Sequence, residues 1–318
     1  MDGMGRFGSP PTNLDHSPCV MRDLGTIVDA QHHLWDLTHC HYPWLMEKGV
    51  KRFFGDPTPI QKNYLAEDFQ ADFGTLPVVK SVHIQVGVDL EDSVKETAWV
   101  QAQGNASGLA NAIVAFCDLT QIDFEAQLDA HCAYENLRGV RQIVGRSAEE
   151  DAKLGTNVLL SDQRFLAGLH RLAALGLSFD LQLTPPLIQA AAILFSKVPK
   201  LKVALCHAGS PSDFSEDGMK MWAEGRNAFA ALPNTICKLS GFGMFQPNWT
   251  QDSIRHLIMT AIEIFGPDRI AFASNFPVDK LAAGYGKVMG AYLDLTADFS
   301  PSERRAMFAE TAESFYRI

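Results

Sequence analysis

Gln163–His207 reads QRFLAGLHRLAALGLSFDLQLTPPLIQAAAILFSKVPKLKVALCH. An amphipathic stretch over Gln163–Leu175, with Ser161 placed to cap it and Gly176 to end it, gives way to a short apolar run, Leu177–Leu183. A second helical stretch, Pro186–Lys197, carries a proline at its start, and a second short run follows at Leu201–His207. The same alternation extends in both directions. Short runs rich in β-branched residues occur at Thr26–Gln31, Val78–Val86, Ala110–Cys117, Leu137–Val144, Asn234–Ser240 and Arg269–Ser274. Helical stretches follow at Tyr64–Phe73, Leu90–Gly104, Asp123–Tyr134, Met219–Leu232, Ser253–Phe265 and Lys280–Leu295. Eight strands alternating with eight helices predict a (β/α)8 TIM barrel over 25–318. No G-x-G-x-x-G or phosphate-binding loop follows any of the runs, which argues against an open doubly wound sheet. A last helix, Ser302–Tyr316, is expected on the outside of the barrel. Residues 1–24, rich in Gly, Pro, Ser and Asp, are expected to form a flexible leader.

Composition narrows the functions. Of the 318 residues 47% are hydrophobic and 20% charged, enough apolar material for one large core. The formal net charge is −10, which argues against a nucleic-acid or anionic-membrane surface. The six cysteines form no C-x-x-C pair and read as free thiols of a reducing, cytoplasmic compartment. No apolar run reaches the ~18–20 residues of a membrane span, and no secretory signal is legible.

Polar residues near the strand ends point to a site at the barrel mouth. Side chains alternate along a strand, so Asp29, Gln31 and His33 share one face, as do Ser81, His83 and Gln85, and Ser178, Asp180 and Gln182. Arg138 and Gln142 share a face and Arg141 takes the other; strand six ends at His207, strand seven carries Lys238 and Ser240, and strand eight runs into Asn275. A buried barrel has little reason to gather so many groups that need hydrogen bonds unless they form a site. The long segment Leu34–Lys62 after strand one, with Trp35, Tyr42, Trp44, Phe53 and Phe54, is a candidate lid.

Val28-Asp-Ala-Gln-His-His-Leu-Trp-Asp36 resembles the strand-one signature of the amidohydrolase superfamily, in the group that includes sugar-lactone and pyrone-dicarboxylate lactonases. Arg138-Gly-Val-Arg-Gln142, Ala204-Leu-Cys-His-Ala-Gly209, Lys238-Leu-Ser-Gly241 and Phe272-Ala-Ser-Asn-Phe-Pro-Val-Asp279 are similar to further segments of that group, and together they cover about residues 26–280. The resemblance implies H-x-H metal ligation on strand one and a metal-binding, proton-accepting aspartate on strand eight. This chain departs from both, with Gln31 at the first histidine position and Asn275 at the aspartate position. An amide is a poor zinc ligand and no base. No cofactor is therefore expected, with a divalent ion such as zinc as the alternative.

The expected activity is hydrolysis of a small carboxylate-bearing lactone. His33, His207, Asn275 and Asp180 are the candidate catalytic residues, with the histidines polarising the carbonyl and moving protons. Gln31, His83, Arg141, Gln142, Gln182 and Lys238 are the candidate substrate contacts. An arginine suits an anionic substrate; the segment resemblance favours Arg141 and strand parity favours Arg138, so both stay open. The alternatives are a metal-dependent decarboxylase of aromatic acids and a barrel that binds a ligand without catalysis. The expected partner is a small anionic molecule, with a homo-oligomer left open.

Overall fold

A computed structural model describes residues 25–146 and 148–318; the leader expected over 1–24 lies outside the described residues. Eight strands, Ile27–His32 (β1), Val78–Ile84 (β2), Ala112–Ala115 (β3), Leu137–Val140 (β4), Ser178–Leu181 (β5), Lys202–Leu205 (β6), Thr235–Leu239 (β7) and Ile270–Phe272 (β8), pair in chain order and all in parallel. The ring closes just beyond β8, where Asn275 N donates to Gln31 O at 2.8 Å and His33 N to Phe276 O at 2.7 Å. This is the expected (β/α)8 barrel.

The helices, in chain order, are Pro43–Met46 (α1), Ala66–Phe73 (α2), Ser93–Ser107 (α3), Phe124–Cys132 (α4), Ala148–Leu154 (α5), Gln163–Ala174 (α6), Ile188–Phe195 (α7), Glu216–Ala230 (α8), Phe242–Phe245 (α9), Gln251–Phe265 (α10), Tyr285–Leu295 (α11), Pro301–Arg305 (α12) and Thr311–Tyr316 (α13). Asp162, not Ser161, caps α6: its carboxylate accepts from Arg164 N at 2.8 Å, while Ser161 is spent in a preceding turn, donating to Val158 O. Between sheet and helices, aromatic rings such as Phe165, Phe179, Phe195 and Phe229 interlock in a chain of ring contacts.

The last helix is not on the outside. A π-helical turn at Ala306–Glu310 leads into α13, and Ala309, Ala312, Phe315 and Tyr316 pack in one cluster with Val28, Ala30, Val82, Ile84, Ala112, Val114, Ala204, Ile236, Ala271 and Ala273 of the strands. Many of these strand residues are alanines. They leave the barrel floor too wide to fill by themselves, and the tail supplies the missing volume. It enters at the strand starts, where Lys80 Nζ donates to Glu313 at 2.7 Å and Arg138 Nε to Arg317 O at 3.4 Å. Inside, the Tyr316 hydroxyl donates to Asp180, 2.8 Å from Oδ2, and Lys238 pairs with the same carboxylate, all three fully buried.

The Leu34–Lys62 segment crosses the opposite end. Trp35 Nε1 donates to Lys62 O at 2.6 Å, Trp44 meets Trp35 and Phe54 edge-on, and Phe53 stacks on Phe245 of α9 with ring centroids 5.9 Å apart. It thus reaches from β1 to the loop after β7.

Removing the Tyr316 hydroxyl leaves a buried carboxylate short of one donor. Tyr316→Phe should lower unfolding stability by about 1–3 kcal/mol in urea titration; an unchanged midpoint would show that the tail does not support the ion pair.

Candidate active site

The site forms where strands end and loops begin. A register shift lies between Asp29 and His32 in β1, so Asp29 and Gln31 do not share a face. Asp29 accepts from the Tyr285 hydroxyl of α11 at 2.9 Å and from Ser274 N at 2.9 Å, on the helix side of the sheet. Gln31 instead meets the histidines. Its Nε2 lies 3.2 Å from His207 Nε2 and 3.3 Å from Asn275 Oδ1, and that oxygen is 3.2 Å from His33 Nε2. The sequence-predicted Gln31, His33, His207 and Asn275 therefore form one buried cluster.

Backbone geometry sets this cluster. His207, Ala208, Gly209 and Ser210 all have positive φ, between 53° and 77°, which turns the chain sharply at the end of β6. Asn275 has φ of 57°. Such values are uncommon for residues with side chains, and their concentration here marks a site held in place by its surroundings. His207 Nδ1 is 3.0 Å from Ser240 Oγ. Gly241, with φ of 72°, lies against the same ring: a Cβ there would come within 2.6 Å of His207 Nδ1. His33 Nδ1 donates to Ile84 O at 2.7 Å.

Arg141 settles the choice between the two arginines. It lies just past β4, buried, with Nη2 donating to Gln85 O and Nη1 to Gln182 Oε1 at 3.1 Å. No carboxylate among the described residues pairs with it. Arg138 sits at the other end of the barrel, donating to Glu135 O, Leu137 O and Arg317 O. Gln182, half-buried, faces the mouth beside Arg141.

Other expected contacts are engaged elsewhere. His83 Nδ1 accepts from Leu34 N at 3.2 Å and meets His32 edge-on, while His32 stacks on Phe69 of α2; His83 hydrogen-bonds no residue of the cluster. It faces the helix layer because Val82 and Ile84 take the interior positions of β2. Gln142 braces the loop after β3, accepting from Leu119 N and donating to Asp118 at 2.8 Å. Asp180 and Lys238 satisfy each other with Tyr316 and bond to neither histidine.

Burial governs the electrostatics. It pushes His33 down to about 3, with the Arg141 and Lys238 charges adding to the effect, and it holds His207 well below the usual range for the same reasons. Both imidazoles are neutral across the physiological range. Burial raises Asp279 to about 8; the carboxyl accepts from Gly241 N at 3.0 Å, and its other oxygen, Oδ1, has no partner. Sequence reasoning missed Asp279 as a site residue, although it ends the Phe272–Asp279 segment. The legible signal was its spacing, one helical turn after Asn275, where Asp279 N donates to Asn275 O at 3.1 Å.

The donor set does not fit a metal. Two of the four clustered side chains are amides that bridge the histidines, and among the described residues no three His, Cys, Asp or Glu side chains gather closely enough to hold an ion. The five described cysteines are free.

The chain is similar to known proteins along most of its length. The family model described as Amidohydrolase matches residues 28–318. The uncharacterized protein y4mH of Sinorhizobium fredii is 38% identical, over 94% of this chain and 100% of its own length. An L-fucono-1,5-lactonase of Burkholderia ambifaria is 24% identical, over 92% of this chain and 95% of its own. The crystal structure of an amidohydrolase from Burkholderia multivorans with bound zinc superposes with a TM-score of 0.77 at 22% identity, covering 92% of this chain and 99% of that one.

The buried titratable groups dictate a pH optimum for stability. His32, His33 and His131 are lowered to between about 3 and about 4, with His83 and His207 also well below their usual range, all chiefly by burial. Unfolded, they take up protons below about pH 6.5, so their contribution is lost as pH falls through that value. Asp29, raised to about 6, and Glu96 and Asp279, raised to about 8, have the opposite sign, and their contribution is lost as pH rises towards those values. Five imidazoles outweigh three carboxyls on the acid side, and above about pH 6.5 only the carboxyls act. The melting temperature should peak at about pH 6–7; a value still climbing below about pH 5 would contradict the assignment.

Proposed function

The chain belongs to the amidohydrolase family, and on that premise we propose that it is a lactonase that opens a small, carboxylate-bearing cyclic ester without a metal ion. The observation that carries this reading is Arg141, a buried guanidinium with no carboxylate partner, beside two imidazoles that its charge helps keep neutral. A buried cation without a counter-ion is costly, and an anionic substrate is the group that relieves it. The resemblance to lactonases supports the bond type.

Docking a carboxylate on Arg141 cancels one of the charges that add to burial in holding His33 and His207 down. Both imidazoles then become better bases only when substrate is present. His33 takes the proton of an attacking water and returns it to the ring oxygen as the ester opens. The amide N–H of Gln31 stabilises the negative charge that develops on the carbonyl oxygen. An activated ester needs less polarisation than an amide, so imidazoles and amides suffice. The Leu34–Lys62 segment, which lies over the mouth with its Phe53–Phe245 contact, excludes water once substrate is bound.

The test is turnover of carboxylated and neutral lactones in the presence of a strong chelator. Turnover of the carboxylated substrates should survive chelation. His33→Ala should lower kcat by about 10²-fold or more. Arg141→Met should raise KM for the carboxylated lactone by about 10- to 100-fold, the equivalent of losing a charge-assisted pair, and leave a neutral lactone little changed. Activity abolished by chelation and restored by zinc, or a preference for neutral lactones, would contradict the proposal.

A further inference from the structure

We propose that Asp279, as a protonated carboxyl, is a positioning residue of this site: it sets which way round the Asn275 amide sits, and through that amide it leaves His33 with a lone pair at Nε2. The orientation is fixed from His33. Its Nδ1 donates to Ile84 O at 2.7 Å, since a carbonyl can only accept. A neutral imidazole has one N–H, so Nε2 must accept. The Asn275 amide lies 3.2 Å from that nitrogen, and its two ends have the same shape with opposite hydrogen-bond sense. If the carbonyl end faced His33, the ring would have to be an imidazolium. Burial and the Arg141 and Lys238 charges oppose that. Turning the amide over about its long axis resolves this: the NH2 end takes the position of the oxygen, towards His33 and, 3.3 Å away, Gln31.

The rest of the chain of bonds then follows. Gln31 must be turned over in the same way, its carbonyl taking the place of Nε2, 3.2 Å from His207 Nε2; it then accepts from Asn275 and from His207 Nε2–H, which leaves His207 Nδ1 to accept from the Ser240 hydroxyl. The far end of Gln31, a buried atom with no partner, becomes an N–H donor. With the amide turned over, the far end of Asn275 is a carbonyl beside the Asp279 carboxyl, and that end of Asn275 and Asp279 Oδ1 are both buried atoms without a partner. A carbonyl facing a carboxylate repels it, whereas a carbonyl facing a carboxylic acid accepts its proton. The surroundings favour the acid. Asp279 is buried, its Oδ2 already holds Gly241 N–H, the phenol of Tyr292 on α11 is the other titratable group acting with it, and no lysine or arginine among the described residues pairs with it.

The same carboxyl braces the second histidine. Gly241, tied to Asp279, forms the wall against the His207 ring, and a Cβ on Gly243 would come within 3.0 Å of Asp279 Oδ1, so small residues make room for it. Asp279 is in this way joined to His33 through Asn275 and to His207 through Gly241. Its role in turnover rests on the lactonase reading, but its protonation and its hold on the amide do not.

Two measurements keep these apart. Infrared difference spectra of the full chain at about pH 6.5 should contain the carbonyl stretch of a protonated carboxylic acid that Asp279→Asn removes. On a carboxylated lactone, Asp279→Ala should lower kcat by about 10²-fold, the usual cost of a misplaced catalytic group, with KM within about threefold. Asp279→Asn, which imitates the protonated acid, should restore most of that loss. Absence of the infrared band overturns the proposal, as does a folded Asp279→Ala with wild-type kcat or a failure of Asn to rescue. If no lactone is turned over, or if Asp279→Ala does not fold, the infrared band and Asp279→Asn still decide it.

Discussion

The barrel closes through Asn275. Its backbone N–H donates to Gln31 O across the last seam of the sheet, and its side chain lies between Gln31 and His33. Fold and site thus share one residue: the turn that completes the cylinder also carries the amide that organises the imidazoles. An aspartate at this position would bring a charge and a base. An asparagine brings neither, and the cluster around it is built accordingly, from neutral groups that fix one another's orientation.

Electrostatics give that neutrality a purpose. Arg141 and Lys238 both act on the histidines, but only Lys238 has its own counter-ion, Asp180, held from below by Tyr316 of the C-terminal helix. Arg141, past the end of β4, has no carboxylate paired with it among the described residues. The floor of the barrel is therefore electrically closed and its mouth open. The tail that fills the alanine-lined interior contributes to this directly, because it delivers the Tyr316 hydroxyl to Asp180.

Much of this was legible in the sequence. The alternation of short β-branched runs with amphipathic stretches gave all eight strands, and the strand-end positions of Gln31, His33, His207 and Asn275 gave the cluster. The failures have physical causes. Period-two parity put Asp29 with Gln31, but a register shift in β1 separates them. The same rule favoured Arg138, yet Arg141 lies past the end of β4, where strand alternation no longer applies. His83 obeys alternation and for that reason faces the helices. The amphipathic pattern of Ser302–Tyr316 correctly gave a helical tail, but an apolar face does not say which hydrophobic surface it meets, and the open floor of the barrel was invisible without the strands in place. Asp279 was overlooked because its partners, Gly241 and Asn275, come together only in the folded chain.

The most direct test of the account is the protonation state of the His33 and His207 ring nitrogens, read by 15N NMR of the unliganded protein between about pH 4 and 8. Neutral rings are expected throughout, with His33 protonated at Nδ1 and His207 at Nε2. An imidazolium at either residue forming near the ordinary histidine value of about 6.5 would contradict it, because the site would then be neither as dry nor as positively charged as its geometry implies.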